Sequence, residues 1–301
     1  MRKIGLLIAL AFCASIATIS AAISAPNWTV YSNVQYGLTS EETADLFLLN
    51  RGVNPVVVFI HGGGWQAGDK SYVGDYARLY GLAGFHVIAI NYRLASYSDP
   101  GKQWNAQLQD TQLFIRWLRQ VAAIIRVDPT RIGVAGESAG GHLALFLGSL
   151  NTSVSPAPGV SGRSNYYASQ SPKASAVLDM FGPTDLTRPE MYASLGSLAL
   201  FGARTYAQAP SLYRDASPLF RVNSQTAPTC VVQGMYDTTV PPSQSIALIN
   251  ALYARGAPYK WLPFNGGHGF SGLSPLQRAD IDNRALQCMI GYLHPNPLNA
   301  W

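Results

Sequence analysis

Cysteine is scarce in this 301-residue chain, which has only Cys13, Cys230 and Cys288. No C-x-x-C pair and no H-E-x-x-H run occurs, so the ligand spacing of structural and catalytic zinc sites is missing. Histidine is nearly as rare, with five in all. Dense Lys/Arg runs are absent too. The formal net charge is +5, but the basic residues are scattered and leave no nucleic-acid footprint. Internal repeats, low-complexity tracts and obvious linkers are also lacking, and the length suits one domain.

One long apolar run is present, at the start. Arg2 and Lys3 precede an uncharged, mostly apolar stretch from Ile4 to Ile23 that ends in small residues. This matches a secretory signal peptide, residues 1–25, cleaved after Ala22 or Ala25. Residues 26–301 then form the single folded domain. A retained anchor is the rival reading, because the run approaches bilayer-spanning length; its many Ala, Ser and Thr residues favour processing. Leu10-Ala11-Phe12-Cys13 departs from a lipoprotein box, since bulky Phe12 stands where a small residue is wanted. The expected location is secreted or periplasmic, with no stable membrane association after cleavage. In an oxidising compartment Cys230 and Cys288 can pair. Alternatively Cys230, which opens a core-like strand, is simply buried. Asn27-Trp28-Thr29 and Asn151-Thr152-Ser153 fit the glycosylation pattern, which matters only in a eukaryotic source.

Short apolar runs alternate with helix-like segments, as a mostly parallel α/β sheet requires. Val56–Ile60, Phe85–Ile90, Ile132–Ala135, Ala176–Met180 and Thr229–Val232 read as strands covered on both faces. Trp104, Leu108, Thr111, Ile115, Leu118, Ala122 and Ile125 step by three and four residues and form one buried helical stripe. Asp128-Pro129 is expected to close that region before the next strand. The segment 153–171 reads as a long surface loop. Pro183 to Pro218 mixes short helical pieces with loops and is placed to cover a site mouth.

The chemistry lies at the ends of these strands. Gly136-Glu137-Ser138-Ala139-Gly140 fits a nucleophile elbow, the sharp strand-to-helix turn that exposes a serine hydroxyl. Upstream, His61-Gly62-Gly63-Gly64-Trp65 follows a strand and offers backbone amides for an oxyanion. The amides of Gly63, Gly64 and Ala139 are the expected oxyanion hole. Serine acyl transfer also needs a base and an acid that orients it. Among the histidines, His61 is assigned to bracing its loop, and His142 to bracing the elbow from the following helix. His86 falls in a strand, and His294 near the end. His268, in Asn265-Gly266-Gly267-His268-Gly269-Phe270, occupies a flexible loop after the last strand and is the expected base. The order Ser, acid, His selects Asp237 as the acid. Asp185 is the rival, with a turn or cap role as its plain alternative. Asp280 and Asp282 fall after His268, on a terminal helix.

These motifs, with Gly68-Asp69-Lys70, Asn91-Tyr92-Arg93-Leu94, Asp128-Pro129-x-Arg131-Ile132, Gly182-Pro183-Thr184-Asp185-Leu186 and Ala216-Ser217-Pro218, resemble one carboxylesterase branch of the α/β-hydrolases. That branch includes hormone-sensitive-lipase-like and bacterial feruloyl-esterase-like (BD-FAE-like) enzymes. The resemblance implies an α/β-hydrolase fold with helices on both faces of the sheet. It also implies a Ser138, Asp237 and His268 triad acting on carboxylic esters through an acyl-serine. The short stretch before Val56 departs from members with a large N-terminal helical cap, so the cap is expected to be small or absent. Acetyl or hydroxycinnamoyl esters on plant polysaccharide fragments are the expected small-molecule substrates, and no metal or organic cofactor is required. Trp65 and Tyr166-Tyr167 are either aromatic contact surfaces or ordinary packing. An arylformamidase-like amide hydrolase and a catalytically silent binding protein are the alternative functions.

Overall fold

The computed structural model describes residues 25–150, 166–193 and 195–294. The signal-peptide assignment, Asn151 and most of the 153–171 loop lie outside the described residues. The strands are β1 (Trp28–Gln35), β2 (Thr43–Leu49), β3 (Asn54–Ile60), β4 (His86–Ile90), β5 (Val127–Glu137), β6 (Ala176–Met180), β7 (Thr229–Gly234) and β8 (Tyr259–Phe264). The helices are α1 (Gly74–Leu82), α2 (Ala106–Val121), α3 (Ala139–Ser149), α4 (Pro189–Tyr192), α5 (Leu195–Leu200), α6 (Pro210–Asp215), α7 (Pro242–Ala254) and α8 (Pro275–Leu293). One eight-stranded sheet runs in the order β1-β2-β4-β3-β5-β6-β7-β8. Pairing is antiparallel for β1 with β2 and for β2 with β4, and parallel throughout the rest.

The continuous apolar runs become central strands because both faces are covered. Val57, Phe59, Leu178, Cys230 and Val232 pack with α1 and α8, through Tyr76, Tyr80, Ile281 and Met289. Their neighbours Val56, Val58, Ile60, Val177 and Val231 pack on the other face with α2, α3 and α7. The expected stripe on α2 is buried at Leu108, Thr111, Ile115 and Leu118, while Trp104 and Ile125 flank it half-buried. Two features differ from the sequence reading. The first two strands were unforeseen: β2 alternates half-buried and buried residues over only seven positions, a weak signal beside the runs. Asp128-Pro129 lies within β5 rather than before it, at the exposed end where pairing with β3 shifts register.

Several sequence motifs prove to be polar stitches at the sheet edge. Lys70 is buried and reaches Asp45 at 3.0 Å and Asn33 Oδ1 at 2.8 Å. Asn91 donates to Asp69 Oδ2 (2.8 Å) and accepts from the Lys70 amide (2.6 Å). Arg93 forks onto Asp110, with Nε and Nη2 both within 3.0 Å of its oxygens. Burial pushes the Asp110 carboxyl up to about 6 even so, against the pull of that guanidinium. A disulfide joins Cys230 on β7 to Cys288 on α8, which settles the open question in favour of pairing. Among the described residues no helix is long and apolar enough to cross a membrane.

Candidate active site

Ser138 stands between β5 and α3 with φ 53° and ψ −117°, a conformation that non-glycine residues seldom adopt. Glycine at two neighbours makes the turn possible. A Cβ on Gly140 would fall 2.0 Å from the Ile60 carbonyl oxygen, and one on Gly136 would fall 2.3 Å from Gly140 itself. Strand, turn and helix therefore cross at backbone contact. The Ser138 amide donates to the Met180 carbonyl on β6 (2.9 Å), and its carbonyl accepts from His142 N (3.0 Å). The side chain is thereby aimed off the carboxyl edge of the sheet, where ligands of open α/β folds bind.

The loops after β7 and β8 meet Ser138 there. They are tied to each other by Met235 N to Phe264 O and Tyr236 N to Gly266 O, both 2.9 Å. Asp237 is buried, and its Oδ1 accepts the amides of Thr239 (2.8 Å) and Val240 (2.9 Å). Its Oδ2 accepts His268 Nδ1–H at 2.7 Å. An ionised carboxylate has no proton to give, so this contact fixes the tautomer. It leaves Nε2 as an acceptor, 3.0 Å from Ser138 Oγ. Phe181 packs edge-on against the imidazole at 4.9 Å. The three residues singled out in the sequence are thus brought into one hydrogen-bonded line. Asp185 is not part of it. That side chain accepts Thr187 N (3.0 Å) and Thr187 Oγ1 (2.6 Å) and pairs with Arg188, which is the turn role.

The glycine loop runs beside the serine: a Cβ on Gly62 would lie 3.4 Å from Ser138 Cβ. Gly63 and Gly64 follow at φ +98° and +58°, and a Cβ on Gly63 would strike the Ala67 carbonyl at 2.2 Å. Among the described residues no acceptor is paired with the amides of Gly63, Gly64 or Ala139. Free amides beside a hydroxyl, that of Ala139 at the N-terminus of α3 and those of Gly63 and Gly64 in the loop after β3, are suited to hold a developing anion. Helix α5 closes over this loop, with Gly196 so near that a Cβ would sit 3.1 Å from Gly64 O.

The two bracing histidines do what their positions suggested. His61 stacks on Tyr92 at 4.4 Å, and its Nδ1 lies 2.8 Å from Gly62 O. Burial lowers its basicity. His142 Nε2–H donates to Ala216 O (2.7 Å), while Nδ1 accepts the Trp65 indole N–H (3.3 Å). One neutral ring therefore joins the elbow helix, the glycine loop and the segment entering Pro218. Full burial pulls its pKa down to about 4. Trp65 is buried against it, a packing residue rather than a contact surface, whereas Tyr166 is exposed. Asp179 is a lone acid in the apolar run Ala176–Met180, a signal visible in the sequence. Burial pushes it up to about 8; Oδ1 accepts Gly182 N (2.9 Å), and Oδ2 has no partner.

Residues 45–252 match the BD-FAE family. The chain belongs to that family. It is 31% identical over 230 residues to Esterase LipC of Mycobacterium tuberculosis, covering 72% of this chain and 53% of that protein. Esterase LipQ of the same organism is 29% identical over 254 residues, covering 82% of this chain and 57% of its own length. The chain thus spans about half the length of these curated relatives. A truncated form of a carbohydrate esterase from gut microbiota superposes with TM-score 0.75 at 27% identity, covering 88% of this chain and 98% of that one. The eight-stranded sheet with its flanking helices is the α/β-hydrolase fold.

Proposed function

We propose that this BD-FAE family member is a serine carboxylic ester hydrolase. The observation that carries the reading is the line Asp237 Oδ2, His268 Nδ1–Nε2, Ser138 Oγ, with contacts of 2.7 and 3.0 Å. Ser138 Oγ attacks the ester carbonyl carbon while His268 Nε2 takes its proton. Asp237 keeps the imidazole in the required tautomer and stabilises the imidazolium. The carbonyl oxygen, now an anion, is received by the amides of Gly63, Gly64 and Ala139. Collapse expels the alcohol, which leaves with the proton from His268. Water then attacks the acyl-serine, His268 takes its proton, and the carboxylic acid departs as Ser138 recovers its hydrogen.

The substrate class we assign is small acetyl or feruloyl esters on carbohydrate fragments. The structural similarity to a carbohydrate esterase supports it. Residues 26–301 act as one catalytic unit, and residues 1–25 as a cleaved leader for secretion or periplasmic export. The Cys230–Cys288 disulfide supports export, because such bonds persist in oxidising compartments. The test is a substrate panel run with one enzyme preparation: p-nitrophenyl acetate, acetylated xylo-oligosaccharide, methyl ferulate and N-formylkynurenine. Faster turnover of the sugar or feruloyl ester than of the simple ester is expected. Preference for N-formylkynurenine would replace this reading with an amide hydrolase.

A further inference from the structure

Outside the triad, one charged side chain touches both of its flanks. Arg278 on α8 binds Asp282 through Nε at 2.7 and 2.9 Å, one helical turn away. Its Nη2 donates to the Tyr76 hydroxyl at 2.7 Å, and that hydroxyl donates to Glu137 Oε1, also at 2.7 Å. Glu137 is the residue immediately before Ser138. The same hydroxyl lies 3.5 Å from the Sδ of Met180, whose carbonyl holds the Ser138 amide. The face of the guanidinium covers the Phe270 ring at 3.8 Å. Phe270 ends the turn that begins at His268, and it packs edge-on against Phe181 at 5.0 Å. Phe181 in turn bears on the imidazole.

We propose that Arg278 is a positioning residue that fixes the Ser138–His268 separation, holding the elbow through Tyr76 and Glu137 and the histidine turn through Phe270. The inference rests on the ester-hydrolase reading. Arginine suits the task because its planar fork binds in two directions while its face stacks on an aromatic ring, which an ammonium cannot do. Glu137 lies at the elbow end of this path. Burial drives its carboxyl upward, and the Tyr76 hydroxyl, Arg278 and His268 oppose that shift while Asp282 adds to it. The carboxylate therefore lies within the electrostatic reach of both the guanidinium and the imidazole. Truncating the link leaves the substrate amides in place but loosens the attacking pair. Its signature is a loss in kcat, with little change in KM.

The experiment compares the full chain with Arg278→Met, Arg278→Lys, Tyr76→Phe and the Arg278→Met/Tyr76→Phe double variant. Turnover of p-nitrophenyl acetate, the rate of fluorophosphonate labelling and thermal melting are read for each. Arg278→Met should lower kcat and labelling rate together by about tenfold, with KM within about twofold. Lysine should not restore them. Tyr76→Phe should act in the same direction, and the double variant should be little worse than the poorer single one, because both cut one path. If Arg278→Met melts below the assay temperature, Tyr76→Phe carries the test, since it removes only a hydroxyl. Variants with parental kcat, with losses matching only the unfolded fraction, or with full rescue by lysine overturn the inference alone. A parent that neither turns over nor labels overturns the ester-hydrolase reading, and the inference with it.

Discussion

Removing the Cys230–Cys288 bond should lower stability without touching the chemistry. Both cysteines are buried, and neither takes part in the hydrogen bonds of Ser138, Asp237 or His268. Their separation is 58 residues. Closing a loop of that length removes about 14 cal/mol/K of entropy from the unfolded chain, or about 4 kcal/mol at 25 °C. For a domain of this size, each kcal/mol corresponds to roughly 2–4 °C in melting temperature, so a fall of about 8–16 °C is expected. The suitable variant is Cys230→Ala/Cys288→Ala, which leaves no lone thiol to react. Circular dichroism gives the melting temperature and urea titration gives the m-value. The m-value should rise in the variant, because an unlinked chain exposes more surface when it unfolds. Esterase turnover at 25 °C should stay within about twofold of the parent, since the triad loops keep their own backbone ties. A melting temperature within about 2 °C of the parent would refute the reasoning, because it would mean the bond constrains nothing in the unfolded state.

Acid should destabilise the fold through His142. The unfolded chain binds a proton at this residue near the ordinary histidine value, whereas the folded one does so only near pH 4. Between those values the unfolded state holds more protons. Stability is therefore lost as pH falls from 6.5 to about 4, by roughly 3 kcal/mol in all. Unfolding free energies of the parent and His142→Gln across that window isolate the effect. The comparison matters because burial raises Asp110 and Asp179, whose contributions have the opposite sign. Gly140→Ala should abolish fluorophosphonate labelling, since its methyl would be driven into the Ile60 carbonyl; a variant that labels at the parental rate contradicts the steric account. Asp237→Asn should cut kcat by about a thousandfold or more through loss of the correct tautomer. Asp185→Asn should leave kcat within about twofold, as Asp185 only braces a turn; equal losses in steady-state assays would overturn that assignment.

The central strands and the elbow were legible in the sequence because their causes are local. Val56–Ile60 and Ala176–Met180 are apolar without alternation, and only a doubly covered strand accommodates that. Gly136 and Gly140 bracket the serine because backbone passes within contact of each. His268 was reachable by elimination, and Asp237 by chain order. What escaped depends on contacts between distant residues. The pairing of Cys230 with Cys288 required knowing that β7 and α8 share a face of the sheet. His142 was legible as a brace, but not as the ring joining Trp65 to Ala216. Arg278 carries no motif at all; its significance comes from α8 packing beside α1 and the histidine turn. Strand β2 was hidden because its one-sided burial leaves only a short alternation, and β1 because it is exposed along almost its whole length and carries no burial pattern at all.

The central claim is that Ser138 is the nucleophile of an ester hydrolase. The most direct measurement is p-nitrophenyl acetate hydrolysis by the parent and by Ser138→Ala, with both confirmed folded by circular dichroism. The account predicts turnover in the parent and a fall of about 10⁴-fold or more in the variant. Equal turnover in the two proteins, or a folded parent inactive on esters, would contradict it.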